Sequence, residues 1–214
     1  MKILFYGDSI TDCGRSRDAN VSNASFGSGY VMQTVGRLYE RDMQKYECIN
    51  RGISGNRIVD LYARIKMDVW NHKPDVLSIM IGINDIWHEL GGRCNGVELD
   101  RFEKIYRMLI EDTLKVLPDV KIILCEPFVL KGSATEAEYD RFCEVYDYAK
   151  CVKALADEFG LYFLPLQSVL TEAGELYGNS TLLGDGVHPT VKGSVLIAGE
   201  WLKVFDKVEA DLEN

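Results

Sequence analysis

The chain has 214 residues, 47% of them apolar, enough to bury one sizeable core and short for two full domains, so residues 1–214 are expected to form a single domain. Lys and Arg number 24 against 33 Asp and Glu, a formal charge of -9, and that balance repels nucleic acid and anionic membrane surfaces. Six cysteines, Cys13, Cys48, Cys94, Cys125, Cys143 and Cys151, contain no Cys-x-x-Cys pair and fit reduced structural thiols rather than a disulfide framework.

The chain opens MKILFYGDS, whose apolar run is short of a signal-peptide core, and no later stretch approaches the roughly 20 residues of a membrane span. The expectation is a cytoplasmic protein. Short apolar runs at Ile3 to Tyr6, Tyr46 to Asn50, Val76 to Ile81, Val120 to Cys125 and Leu161 to Leu164 are bounded mostly by Gly, Asn, Asp or Pro and predict strands buried on both faces. Between them the period changes to three and four residues, strongly over Leu99 to Leu114 and Phe142 to Phe159, more weakly over Tyr30 to Tyr39, Ile58 to His72 and Val195 to Phe205. Strand and helix therefore alternate along the chain, which predicts an α/β fold with a parallel sheet covered by helices on both faces. No internal repeat, low-complexity tract or linker interrupts the pattern. Trp201, Leu202 and Phe205 near the C-terminus are expected mainly to pack the last helix on the sheet, and a homo-oligomer is left open.

In such a sheet ligands bind beyond the carboxyl ends of the strands, where the strand order switches, so the loops leaving the strands carry the chemistry. The first strand runs into GDSITD (Gly7 to Asp12), the second into NRGISGN (Asn50 to Asn56) and the third into IGIND (Ile81 to Asp85). Ser9 stands where a hydroxyl projects into the crevice, as a nucleophile or as part of a helix-capping turn. Gly55 offers a backbone N–H that a ligand can approach closely, or is a turn glycine. Asn84 brings an amide donor suited to a developing oxyanion, or ties its own loop together.

Near the C-terminus stands GDGVHPT, Gly184 to Thr190, which places Asp185 three residues before His188. A serine nucleophile needs a base to take its proton and a third group to fix that base's tautomer, and this pair can supply both, or be a surface pair. His72, on an amphipathic helix, and His88, in a loop beside Trp87, lack a comparable partner in the sequence.

Taken together, Gly7-Asp8-Ser9, Gly55, Gly82-Ile83-Asn84-Asp85 and Asp185-Gly186-Val187-His188-Pro189 resemble the four sequence blocks of the SGNH hydrolases, the GDSL esterase family, in order and over nearly the whole chain. The resemblance implies a three-layer α/β/α sandwich with a five-stranded parallel sheet of flavodoxin-like topology. It implies Ser9 as nucleophile, His188 as general base and Asp185 as its orienting carboxylate. The Ser9 N–H, the Gly55 N–H and the Asn84 side chain are then the oxyanion hole. Ile10 stands where the family's name has leucine, an exchange of similar volume. The stretches GDSITDCGR, GSGYV, NRGISGN, SIMIGINDIW and GDGVHPT further resemble the intracellular bacterial members that deacetylate xylan-derived oligosaccharides.

The substrate implied is a small-molecule or oligosaccharide acetyl ester, and no metal or cofactor is expected. Trp87 is expected to pack a sugar face or to anchor its loop, and Asp8 to contact substrate. Polar loops such as residues 11–29 and 130–140 disfavour a long-chain lipase. Two alternatives stand beside the esterase. One is a metal-dependent phosphoesterase using Asp8, Asp12, Asn84, Asp85, Asp185 and His188 as ligands, and the other a non-catalytic carbohydrate binder on the same fold.

Overall fold

The computed structural model describes residues 1–18 and 23–213, so positions 19–22 of the expected 11–29 loop lie outside the described residues. The expected strands appear as β1 (Lys2–Gly7), β2 (Glu47–Gly52), β3 (Val76–Met80), β4 (Lys121–Cys125) and β5 (Tyr162–Leu164). They form one all-parallel sheet in the order β2-β1-β3-β4-β5, the flavodoxin-like order. No helix of the described residues is long and apolar enough to cross a membrane.

Helices cover both faces because successive residues of a central parallel strand point to opposite sides and each side must be buried. Phe5 faces the pair α2 (Tyr30–Arg41) and α10 (Val191–Glu213), with Trp201 at 5.0 Å and Tyr30 at 6.1 Å between ring centroids. Its neighbour Tyr6 points the other way and donates its hydroxyl to the Leu61 carbonyl in α3 (Ile58–Asp68). On that second face lie also α5 (Leu99–Val116) and α7 (Val145–Glu158), which pack side by side. Trp201 and Phe205 are fully buried and Leu202 nearly so, which bears out packing rather than exposure for the last helix. The Trp201 indole satisfies its N–H on Ser78 Oγ at 2.9 Å, inside the sheet.

Two helical expectations change in detail. The run Phe142 to Phe159 is broken at Cys143 and Glu144 into α6 (Tyr139–Phe142) and α7. The run Ile58 to His72 ends as an α-helix at Asp68, because Val69 leaves helical geometry at φ -125°, ψ -64°, and only a 3-10 turn continues from Trp70 to His72. Four further helices are too short or too sparsely apolar for their period to show: α1 (Ser9–Asp12), α4 (Ile83–Trp87), α8 (Gln167–Tyr177) and α9 (Asn179–Leu182).

The sheet register places the site. Gly7 pairs with Gly52 on one side and Met80 on the other, so β1, β2 and β3 end at one level. The strand order reverses direction between β1 and β3, and the loops leaving those two strands carry Ser9 and Asn84. The turn α1 sits directly on the end of β2: a Cβ on Gly52 would lie 2.2 Å from the Asp12 backbone nitrogen. Only a glycine there lets the helical turn settle that low.

Candidate active site

Asp8 shapes the turn that carries Ser9. It is the N-cap of α1, and its Oδ1 accepts the Ile10 N–H at 2.9 Å. Asp8, expected to contact substrate, is only 1% exposed, and its second oxygen is buried without a hydrogen-bond partner. Burial, opposed by its backbone hydrogen bonds and by His188, raises its carboxyl to about 7.

Ser9 is half-buried, and its Oγ lies 2.8 Å from His188 Nε2. The other ring nitrogen, Nδ1, lies 2.6 Å from Asp185 Oδ2, which fixes the tautomer with the proton on Nδ1 and leaves Nε2 free to accept from Ser9. Asp185 is itself immobilised: its Oδ1 accepts the N–H groups of Val187 at 2.9 Å and His188 at 2.7 Å. Burial acts to raise the Asp185 carboxyl, but these hydrogen bonds and the imidazole outweigh it and hold it at about 2. His188 is raised above its ordinary value, chiefly by its hydrogen bond to Asp185 and against the effect of burial, with Asp185 and Asp8 adding their charge.

The loop that presents this pair closes on itself through an isolated antiparallel bridge between Leu183 and Pro189. The loop leaving β4 buttresses it from behind, with Leu130 N–H donating to the Gly186 carbonyl and Ala134 N–H to the Asp185 carbonyl. In the sequence residues 130–140 read only as a polar loop, since backbone groups carry both contacts and no side-chain type announces them.

Gly55 adopts φ +80°, the left-handed region that a side chain strains, within a loop tied to β1 by Ile53 N–H on the Gly7 carbonyl at 3.0 Å. Asn84 is buried at 4% exposure and spends one amide N–H on the Asn56 carbonyl at 3.0 Å. That bond joins the loop after β3 to the loop after β2 and orients the amide, which keeps a second N–H. Asn56 was quoted within NRGISGN but given no role; its function lies in a carbonyl, which sequence does not distinguish.

Trp87 is half-buried at the end of α4, edge-on to Phe142 at 5.7 Å and 5.9 Å from the His188 ring. One edge thus anchors the loop against Phe142 while the ring borders the imidazole. His88 follows it and faces Gly55, its Cε1 being 3.9 Å from the position a Cβ there would take. His72 stands apart, paired with Arg51 at 2.8 Å.

Each carboxylate considered as a metal ligand already holds a hydrogen bond within the fold, Asp8 that to Ile10 N–H, although Asp8 and Asp85 each keep one buried oxygen without a partner. Asp12 accepts from Arg15 N–H, Ser54 N–H and Arg17, Asp85 accepts Ile58 N–H at the start of α3, and Asp185 serves His188. Among the described residues no group of three or more His, Cys, Asp and Glu is arranged to hold a metal ion.

An alcohol, an imidazole and a carboxylate linked in this order can activate the hydroxyl as a nucleophile. Comparison with known proteins agrees. The GDSL-like lipase/acylhydrolase family model matches residues 5–196. An acetylxylan esterase of Geobacillus stearothermophilus is 39% identical over 209 residues, covering 94% of this chain and 92% of its own. The crystal structure of an acetylxylan esterase from that organism superposes with a TM-score of 0.84 at 35% identity, over 95% of this chain and 93% of that one. Solved catalytic mutants of the same enzyme replace a serine, an aspartate or a histidine by alanine. A GDSL-like protein of Parabacteroides merdae superposes with a TM-score of 0.87 at 40% identity, over 95% and 94% of the two chains. The chain thus belongs to the GDSL-like lipase/acylhydrolase family, the SGNH hydrolases, and is a carboxylic ester hydrolase of the acetylesterase type.

Proposed function

We propose that Ser9, His188 and Asp185 hydrolyse O-acetyl groups on xylo-oligosaccharides, with the Ser9 N–H, the Gly55 N–H and the Asn84 amide as oxyanion hole. The observation that carries the reading is the unbroken hydrogen-bond chain from Ser9 Oγ through His188 to Asp185, at 2.8 and 2.6 Å. The substrate class is supported by the relatives, one of them described as an acetyl-xylooligosaccharide esterase.

In the first half-reaction Ser9 Oγ forms a bond to the acetyl carbonyl carbon as its proton passes to His188 Nε2. The carbonyl oxygen becomes an oxyanion, which the three donors stabilise more strongly than the ground-state carbonyl. Collapse breaks the bond to the sugar oxygen, which takes the proton from Nε2 and leaves as an alcohol. In the second half-reaction His188 takes a proton from water, the water oxygen attacks the acetyl-enzyme, and Ser9 leaves with the proton restored. The products are acetate and a free sugar hydroxyl. Trp87, beside the imidazole, forms the wall against which a sugar ring packs.

Acetate release from acetylated xylo-oligosaccharides, followed by proton NMR, tests this. Wild type is expected to release acetate and Ser9→Ala to release none above background. Equal release by both would overturn the serine mechanism, and release from p-nitrophenyl acetate alone would overturn the substrate. Covalent labelling of Ser9 by a serine-directed phosphonate separates an enzyme from a carbohydrate binder, and activity retained under chelation argues against a phosphoesterase-like metal site.

A further inference from the structure

We propose that Arg64 is a positioning residue for ester hydrolysis: its guanidinium clamps the ends of β1 and β2 and the loop that orients Asn84, and so sets the oxyanion donors against Ser9. The inference rests on the oxyanion-hole assignment above. Arg64 lies in α3 with a side chain 12% exposed. Its Nε donates to Asn56 Oδ1 at 2.7 Å, Nη1 to the Arg51 carbonyl at 2.8 Å and to Asp68 at 2.7 Å, and Nη2 to the Gly7 carbonyl at 3.0 Å. The guanidinium also stacks on Tyr6 of β1, 4.3 Å from the ring centroid.

Three of those four acceptors belong to the loops and strand ends that build the site. Gly7 is two residues before Ser9, Arg51 is the penultimate residue of β2, and Asn56 directly follows Gly55. Asn56 then passes the constraint on, because its carbonyl is the acceptor for Asn84 Nδ2. The Gly7 carbonyl is shared with Ile53 N–H, so one oxygen joins Arg64, the nucleophile strand and the Gly55 loop. The start of α3 is held from the other side by Asp85, the residue after Asn84, which accepts Ile58 N–H at 3.0 Å. The helix thus touches the ends of β1 and β2 and the segments that follow β2 and β3.

A planar fork with several donors in fixed directions can span these acceptors together, whereas a lysine ammonium reaches only some of them. The charge is already compensated by Asp68 at the next turn of α3. A role confined to stability would need only that pair, and buried pairs are often replaceable by apolar packing. The bonds to Asn56, Arg51 and Gly7 instead fix distances between loops, where misplacement by about 1 Å costs on the order of 10²-fold in rate.

The test is a double-mutant cycle on purified protein with p-nitrophenyl acetate, read as kcat and KM separately, with melting temperatures alongside. Arg64→Lys is expected to lower kcat about 10-fold or more while KM stays within about 3-fold, and Asn84→Ala to lower kcat about 10²- to 10³-fold. Because Arg64 acts in part through Asn84, the kcat loss from Arg64→Lys should be clearly smaller in the Asn84→Ala background than in wild type. Losses that multiply in the double variant, or an unchanged kcat in Arg64→Lys, overturn the positioning role. An Asn84→Ala enzyme as fast as wild type overturns the oxyanion-hole assignment instead. Should Arg64→Lys not fold, Asn56→Ala cuts the same link at a half-buried loop residue, and its cycle with Asn84→Ala must show the same coupling; multiplied losses there overturn the proposal equally.

Discussion

At the scale of single residues the pair His188 and Asp185 sets the pH dependence. His188 must be neutral to accept the Ser9 proton, and its hydrogen bond to Asp185 raises it above the ordinary value. The kcat/KM of the free enzyme should therefore climb with pH through a midpoint above about 6.5, and a plot flat from pH 5 to 8 would remove His188 as the base. Asp185→Asn takes away both the charge that raises His188 and the acceptor that fixes its tautomer, so the midpoint should move down while turnover drops on the order of 10⁴-fold. Asn84→Ala removes one of three proposed oxyanion donors and should cost about 10²- to 10³-fold in kcat with little change in KM. These residues were legible in the sequence because each lies within a short local block. For Asp8 the sequence shows the position beside Ser9, but its burial depends on what packs over it, and only the fold shows that.

At the scale of elements, the long helices and all five strands follow from apolar period, and the exceptions have physical causes. The break at Cys143 and Glu144 is invisible because Phe142 and Val145 keep the three-residue spacing across it, and both are buried. In α8 only Leu170 and Gly174 are buried while Leu176 and Tyr177 are exposed, so the helix shows no continuous apolar stripe. The helices α1, α4 and α9 are four or five residues long, less than two turns, and owe their geometry to caps and neighbours rather than to period. Arg64 could not be read from sequence because its partner Gly7 lies 57 residues away. The contact of α1 with β2 yields a test at this scale. In Gly52→Ala the new methyl meets the Asp12 backbone, which cannot rotate aside as a side chain does, so α1 must lift and carry Ser9 with it. The expected outcome is a loss of about 1–3 kcal/mol in stability from overpacking, with kcat falling on the order of 10²-fold as Ser9 leaves His188. Thermal melts and esterase kinetics check it, and a variant melting lower but turning over at the wild-type rate would show that α1 holds its place.

At the scale of the whole molecule, the acidic groups that the fold buries pull stability in opposite directions along the pH axis. Asp185, held at about 2, contributes stability that is present above the unfolded carboxyl value near 3.8 and is lost as pH falls toward 2. Asp8, raised to about 7, behaves inversely: its contribution is complete below about 3.8, where it is protonated in both states, and is lost as pH rises through 7 and a buried carboxylate must ionise. Asp85, raised by burial at 1% exposure, adds in the same direction, and so does His188 above its ordinary value. The protein should consequently melt highest in mildly acidic solution and lose stability between pH 5 and 8. Mutual repulsion within a chain of net charge -9 acts the same way, but it is screened by salt, whereas a buried carboxyl is not. Asp8→Asn separates the two causes, because an amide keeps an oxygen to accept the Ile10 N–H and cannot ionise. The fall in melting temperature from pH 5 to 8, at about 0.15 M salt, should flatten in that variant, by an amount corresponding to on the order of a few kcal/mol. Asp119→Asn, which removes the same formal charge at an exposed position, should leave the slope as in wild type. Equal slopes in Asp8→Asn and wild type would remove Asp8 as a cause and leave the acid preference to Asp85, His188 and the molecular surface.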